Sequence, residues 1–366
     1  MSIGEIIKPL ETFAPPALQE SYDNAGLITG NANWPCSGVL ICLDATEAIV
    51  KEAMKKGANL IVAHHPIVFS GIKKLNGKNY VEKAIIAAIK NDVAIYAMHT
   101  NLANVLNGVN ARIADKLNLQ NRKILAPKTG ILQKLAVFVP HNHKQKLMEA
   151  LFAAGAGNIG NYSECSFSVD GIGSFKGNES SNPFAGKSSG ERHLEPESRV
   201  EVIFPEWLAS QIVEAMKKAH PYEEVAFDIF SLTNIFQTTG SGIVGALRKP
   251  VETTVFLANL KKIFKVPVVK HSRILKKKVR KIAICGGAGS FLTGHAIACG
   301  ADVLITSDIK YHEFFDANDK LVLADIGHYE SEQYTIDLLF EVLKLNFPTF
   351  AVQKTALNSN PVRYLL

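Results

Sequence analysis

The sequence predicts an α/β protein made of two related α/β halves with a ferredoxin-like α+β domain inserted between them. Strand and helix signals alternate at both ends of the 366-residue chain, an order that builds largely parallel sheets covered by helices. A stretch near one end, "ICLDATEAIVKEAMKKGANLIVAHH", lies without a gap over "ICGGAGSFLTGHAIACGADVLITSD" near the other, the step from Cys42 to Gly57 matching that from Cys285 to Gly300. Such self-similarity is the mark of a repeated unit, although convergent strand and helix spacing could produce part of it. Between these stretches the texture changes to Gly, Ser and Asn with short strands.

The elements follow in order. "MSIGEIIKPLETFAPP" reads as a short amphipathic helix stopped by a proline break, without the long apolar core of a leader. "GVLICLD" is a buried strand, and "TEAIVKEAMKKG" a helix opened by Thr46 and closed by Gly57. "NLIVAHH" is a strand, "YVEKAIIAAIKND" a helix and "VAIYAMH" a strand. In the middle, "LQKLAVFVP", "HKQKLMEALFAAG", a hairpin, "LASQIVEAMKKAH" and "EVAFDIF" give the βα, β-hairpin, βα order of a ferredoxin-like domain. Its loop from Gly173 to Glu191 is expected to be mobile. The last segment runs "VRKIAIC", "SFLTGHAIACG", "ADVLITSD", "IKYHEFFDAND", "KLVLADIGH" and a final helix "YESEQYTIDLLFEVLKLNF". The domains are therefore 1–127, 128–236 and 237–366.

Composition narrows the classes. With 47% apolar and 20% charged residues the chain has the balance of a soluble globular protein. A formal charge of +6 does not announce a nucleic-acid protein; the one dense basic run, Lys270–Lys281, reads either as a phosphate-contacting patch or as a solvated turn into the next strand. Five cysteines without a CxxC pair suggest neither a disulfide framework nor a thiolate zinc site. With no apolar run near the roughly 20 residues a bilayer span needs, a cytoplasmic location is expected.

In open α/β sheets ligands bind outside the carboxyl ends of the strands. Four such ends carry polar groups: His64 with His65, His99-Thr100-Asn101, Ser307 with Asp308, and His328 with Glu332. Neutral imidazole ligates zinc, iron or manganese, and adjacent histidines can both ligate only where a strand is ending, as Pro66 suggests. The alternative is one buried histidine bonded to backbone beside one exposed. His328 and Glu332, four apart at a helix start, share a face and could bite one ion. Asp308 and His312 are also four apart, so Asp308 either orients a ligand or caps a helix. "CGGAGSF" matches neither a dinucleotide nor a Walker fingerprint and reads as a tight packing turn.

Taken in order, "YDNAGLITG", "LIVAHHPIVFSG", "HTNL", "NGVN", "CGGAGSFL", "ITSDIKYHEFFDA" and "DIGHYESE" resemble the Nif-three-like family, whose members carry the name GTP cyclohydrolase I type 2 homologue. The likeness covers essentially the whole chain, and the middle segment is similar to the CutA/PII-like domain inserted in the longer members. The resemblance implies a toroidal homo-hexamer, a trimer of dimers, and metal ligands at His64, His65, His328 and Glu332. Where the family has an aspartate after "HTNL", this chain has Ala103. One or two divalent ions per chain are therefore expected, with Asn104, Asp44 or water as candidates for the vacancy. Two functions follow. One is a metal-dependent hydrolase of a nucleotide or small cyclic substrate, with Glu332 bridging and His99 or His312 carrying a proton. The other is a non-enzymatic metal-binding regulatory or adaptor scaffold. Binding of nucleic acid is not expected.

Overall fold

Val39–Asp44 and Leu60–His65 run parallel at the centre of a five-stranded sheet, and Gly26–Thr29, Ala94–Ala97 and Val352–Lys354 complete it. From one edge the order is Gly26–Thr29, Ala94–Ala97, Leu60–His65, Val39–Asp44, Val352–Lys354, with only the first strand antiparallel to its neighbour. The computed structural model describes residues 1–186 and 191–365.

Successive side chains of a strand point to opposite faces, and here both faces are apolar. Leu40, Cys42, Ile61 and Ala63 pack against Ile49 and Ala53 of helix Glu47–Lys55 and Ile85 of helix Tyr80–Lys90. Val39, Ile41, Leu60 and Val62 pack against Ile6 and Leu10 of helix Ile3–Phe13 and Leu339 of helix Thr335–Asn346. Each fully buried Leu, Ile or Val among these contributes about 1.5–3 kcal/mol. Local signals match: Ser2 and Glu5 form a capping box, Thr46 and Asn79 cap the next two helices, and Gly57 leaves its helix at φ 69°.

A six-stranded sheet has the order Lys270–His271, Val322–Asp325, Val303–Ser307, Lys278–Ala288, Ile235–Glu252, Gln120–Thr129. Its parallel trio, Lys278–Ala288, Val303–Ser307 and Val322–Asp325, is apolar on both faces. The chain divides into two compact units. Met1–Pro127 with Thr238–Leu366 forms the first, and Lys128–Gln237 the second. The second unit holds an antiparallel sheet in the order Ser166–Phe175, His193–Pro205, Leu132–Pro140, Phe227–Leu232. Helices Lys144–Ala153 and Ala209–Ala219 cover one face, burying Leu147, Leu151, Ile212 and Met216 on Val137, Val200 and Phe204.

Several elements differ from expectation. Gly173 to Phe175 belong to strand Ser166–Phe175, and residues 187–190 of the expected mobile loop lie outside the described residues. "IKYHEFFDAND" is a 3-10 helix, Tyr311–Ala317, ended by Asn318 in the left-handed region at φ 47°. The expected final helix is two helices, His328–Glu332 and Thr335–Asn346. At the break Gln333 bonds the carbonyls of Phe264 and Glu330 at 2.9 Å each, so the short helix is aimed independently of the long one.

Candidate metal centre

The strand Leu60–His65 delivers both histidines. His64, buried in its last turn of pleat, donates Nδ1–H to the Met98 carbonyl at 2.7 Å. A carbonyl only accepts, so the proton sits on Nδ1 and Nε2 carries a lone pair. His65 stands opposite Asp44 in the strand register, and its Nδ1 lies 2.8 Å from Asp44 Oδ1. Ser359 Oγ donates to the other Asp44 oxygen at 2.5 Å.

Glu332 reaches the histidines from the far side. Gly327 at φ 83° turns the chain into helix His328–Glu332, where His328 Nε2 and Glu332 Oε2 are 3.1 Å apart across one turn. Glu332 Oε2 is 2.9 Å from His65 Nε2, and Oε1 is 3.5 Å from His64 Nε2. The ring of His328 is held by Asp308 Oδ2 at 2.5 Å from Nδ1, and its Nε2 lies 3.3 Å from that of His65. Close approach of Glu332 depends on Gly287, at φ 65°, where a Cβ would stand 2.6 Å from Oε1. The glycines of "CGGAGSF" thus make room for a carboxylate, and the N–H groups of Gly286 and Gly287 already donate to Asn110 and Ser331.

This donor set calls for positive charge. With Nδ1 of His65 and His328 turned to carboxylates, two Nε2 atoms and a carboxylate oxygen face one another at 2.9–3.3 Å. They must share protons or a cation. Burial disfavours charge on the rings, but Asp44 and Glu332 outweigh it at His65, whose pKa rises to about 9, and Asp308 and Glu332 do so at His328, raised to about 10. Burial likewise opposes ionisation of Glu332, yet the histidines hold it well below the usual carboxylate range. His64, where burial dominates, is pushed down.

A metal fits better than protons alone. Ligands about 2.0–2.1 Å from a tetrahedral ion lie roughly 3.3 Å from each other, close to the separations just given. His64 Nε2 is buried without a hydrogen-bond partner, and an orphaned buried acceptor asks for an occupant. Metal-ligating histidines usually give their other N–H to a carboxylate or backbone carbonyl, as His64, His65 and His328 all do. His64, His65 and Glu332 form a cluster that could hold a metal ion, their ligand atoms all within 4.8 Å of one another. A cavity of about 530 Å³ opens beside it, lined in part by His65, His328, Asp308, Lys270, Tyr329 and Tyr364.

The other expected residues are placed as follows. His99 packs edge-on with its ring centre 5.5 Å from those of His64 and His65, and its Nδ1 bonds Asp23 Oδ1 at 2.8 Å. His312 makes ring contacts with Tyr311 and Phe315 and is not among the residues lining the cavity. Ser307 is buried, and Asp308 orients His328, while Lys310 is the cap of the following 3-10 helix. Ala103 packs against the first core. Asn104 spends its amide on Leu18, Glu20 and Ser241, and Asp44 is spent on His65 and Ser359. In the basic run Lys270 pairs with Asp325 and Lys276 with Asp302, two of its seven Lys and Arg. Sequence reasoning missed Asp23, Met98, Ser359 and Gly287; of these only Asp23, inside "YDNAGLITG", and Gly287, inside "CGGAGSFL", stood in motifs that could have flagged them.

Among the described residues no helix is long and apolar enough to cross a membrane. The family model Duf34/NIF3 (NGG1p interacting factor 3) matches residues 1–361. The chain is 42% identical over 325 residues to a Halalkalibacterium halodurans protein named GTP cyclohydrolase 1 type 2 homolog, covering 88% of this chain and 87% of that one. A Bacillus subtilis protein of the same name is 39% identical, with coverage of 89% and 87%. The crystal structure of a Bacillus cereus protein related to NIF3 superposes with a TM-score of 0.87 at 37% identity, over 100% of this chain and 99% of that one. The chain therefore belongs to the DUF34/NIF3 family.

Proposed function

We propose that this chain is a metal-dependent hydrolase of a nucleotide or another small cyclic substrate, working with one or two divalent ions, zinc, iron or manganese, held by His64, His65, His328 and Glu332. The observation that carries the reading is the convergence of three Nε2 lone pairs on the two oxygens of one buried carboxylate. A bound ion would supply a water of lowered pKa and a Lewis acid. The two Glu332 oxygens face different histidines, which suits a bridging ligand. Asp44 and Asp308 hold the rings in their ligating orientation, and the adjoining cavity offers room for substrate. Of the two histidines considered as proton carriers, His99 is at the cluster and His312 has no contact that places it there. The name borne by the relatives makes GTP the first substrate to try.

The test is metal analysis of protein purified without chelator, followed by turnover of GTP and a panel of cyclic amides and nucleotides, with Glu332→Gln as control. Retained metal with turnover that the control lacks supports the reading. Metal-free protein, or metal-loaded protein inert on every substrate, sinks the hydrolase.

The adaptor reading is favoured by a different observation. In the second unit the sheet face away from the two helices exposes Phe167, Val169 and Phe230. Such a face suits self-association, and its strand order supports reading the unit as a ferredoxin-like, CutA/PII-like insertion. In the same proposal the two larger sheets are related halves, the chain forms a cytoplasmic homo-hexamer, a trimer of dimers, and the domains are 1–127, 128–236 and 237–366. Light scattering on the unaltered chain and on Phe167→Glu tests this: a monomer in both cases removes the hexamer.

A further inference from the structure

We infer that His99 is a metal ligand in this chain, completing a second metal position with His64 and Glu332; the inference rests on the metal reading above. The donors divide unevenly. His65, His328 and Glu332 Oε2 make one tight triangle, with separations of 2.9, 3.1 and 3.3 Å. On the other side only His64 Nε2 and Glu332 Oε1 face each other, 3.5 Å apart. Two donors do not make a structural or catalytic position for zinc, which takes three or four protein ligands. Yet His64 Nε2 is buried and without a partner, so something must meet it.

The residue in place to do so is His99. With metal–nitrogen bonds of about 2.0–2.1 Å, two imidazoles on one ion have ring centres roughly 4.5–5.5 Å apart for angles between a right angle and a trigonal one. The pairs His64–His65 and His65–His328 are 4.9 and 5.1 Å apart, and His99 lies 5.5 Å from both His64 and His65. Its Nδ1 is engaged by Asp23, a carboxylate with no exposed side-chain surface whose second oxygen accepts from Thr100 N at 2.9 Å and from Thr100 Oγ1. That leaves Nε2 as the free nitrogen, the pattern of an outer carboxylate fixing a ligand's tautomer.

Position 103 explains why His99 would be needed. Ala103 lies one helical turn after His99, its N–H bonded to the His99 carbonyl at 3.0 Å. His99 is the N-cap of the short helix Thr100–Ala103, so a carboxylate at 103 would stand one turn from the imidazole at 99. An alanine methyl offers no donor. Ligation and proton transfer draw on the same Nε2 lone pair, so a ligating His99 is not also the proton carrier.

The experiment is reconstitution of metal-free full chain with zinc, desalting and elemental analysis. About two zinc ions per chain are expected in the unaltered protein, about one in His99→Ala, and about two again in His99→Ala combined with Ala103→Asp. Restoration by the acid at 103 separates loss of a ligand from loss of fold. Should His99→Ala fail to fold, Asp23→Asn keeps the ring but replaces the carboxylate at its Nδ1 by a neutral amide, and should weaken the second zinc roughly 10–100-fold. Equal zinc in the unaltered chain and in His99→Ala, or unchanged affinity in Asp23→Asn, overturns the inference while leaving the metal centre standing. No zinc in the unaltered chain overturns both.

Discussion

In the first sheet Val39, Leu40 and Ile41 pair in parallel with Leu60, Ile61 and Val62; in the second Ile282, Ala283 and Ile284 pair in parallel with Val303, Leu304 and Ile305. The two strand pairs are built alike up to their carboxyl ends and then diverge. The first continues in register to Asp44 opposite His65. The second shifts register between Ile284 and Ala288, swings Gly287 to φ 65°, and leaves Asp308 at φ 56°. One end presents two imidazoles directly. The other presents space for Glu332 and a carboxylate that holds His328. Similar backbone thus serves opposite roles, donor on one side and receptacle on the other, and the difference lies in a few residues past the last ladder bond.

The largest effect should come from removing the group on which both ends converge. Glu332→Gln keeps shape but loses the charge that touches His64, His65 and His328. Zinc affinity should fall by more than the roughly 10–100-fold typical of outer residues, read by competition with a chromogenic chelator. A loss smaller than that of Asp44→Asn or Asp308→Asn would mean the carboxylate is not central. Those two substitutions test the comparison itself. Each replaces the charged acceptor of one ligand's Nδ1–H by a neutral amide, so each should cost about 10–100-fold; an effect in Asp44→Asn alone would make the second sheet's end merely structural.

Proton linkage supplies the next test. In the metal-free chain His65 and His328 have folded pKa values of about 9 and about 10 against an ordinary 6.5. A raised folded pKa contributes stability that is fully present below pH 6.5 and is lost as pH rises through 9 and 10. Chelator-treated protein should therefore lose melting temperature over that window, and Glu332→Gln should flatten the slope. Zinc needs the same nitrogens unprotonated, so the zinc-induced rise in melting temperature should grow across that window. A zinc effect independent of pH would mean the ion binds elsewhere.

Much of this was legible in the sequence because it is local. Thr46 caps the helix it precedes, the apolar runs Val39–Leu43 and Leu60–Ala63 are strands, and His328 and Glu332 share a turn. What was not legible depends on contacts far apart in the chain or on backbone dihedrals. Asp23 meets His99 across 76 residues, and Ser359 meets Asp44 across 315. Neither leaves a periodic trace. The 3-10 form of Tyr311–Ala317 and the break after Glu332 were hidden because the apolar and charged pattern fits a regular helix equally well. The glycines at 286 and 287 announced a tight turn, but only the position of Glu332 says what the turn makes room for.

The smallest effect expected is at Ser359, and it sharpens the comparison most finely. Asp44 has a tether that works from its far oxygen: Ser359 Oγ holds Oδ2 while Oδ1 holds His65. Asp308 is the more open of the two carboxylates, its side chain 50% accessible against 33% for Asp44. Ser359→Ala removes one hydrogen bond, worth about 1 kcal/mol, and leaves the Asp44 contact with His65 intact. Zinc affinity should then drop by less than about fivefold, well short of Asp44→Asn. If Ser359→Ala matched Asp44→Asn, orientation of His65 would depend on the C-terminal segment and not on the strand register, and the first sheet's end would be no more self-sufficient than the second's.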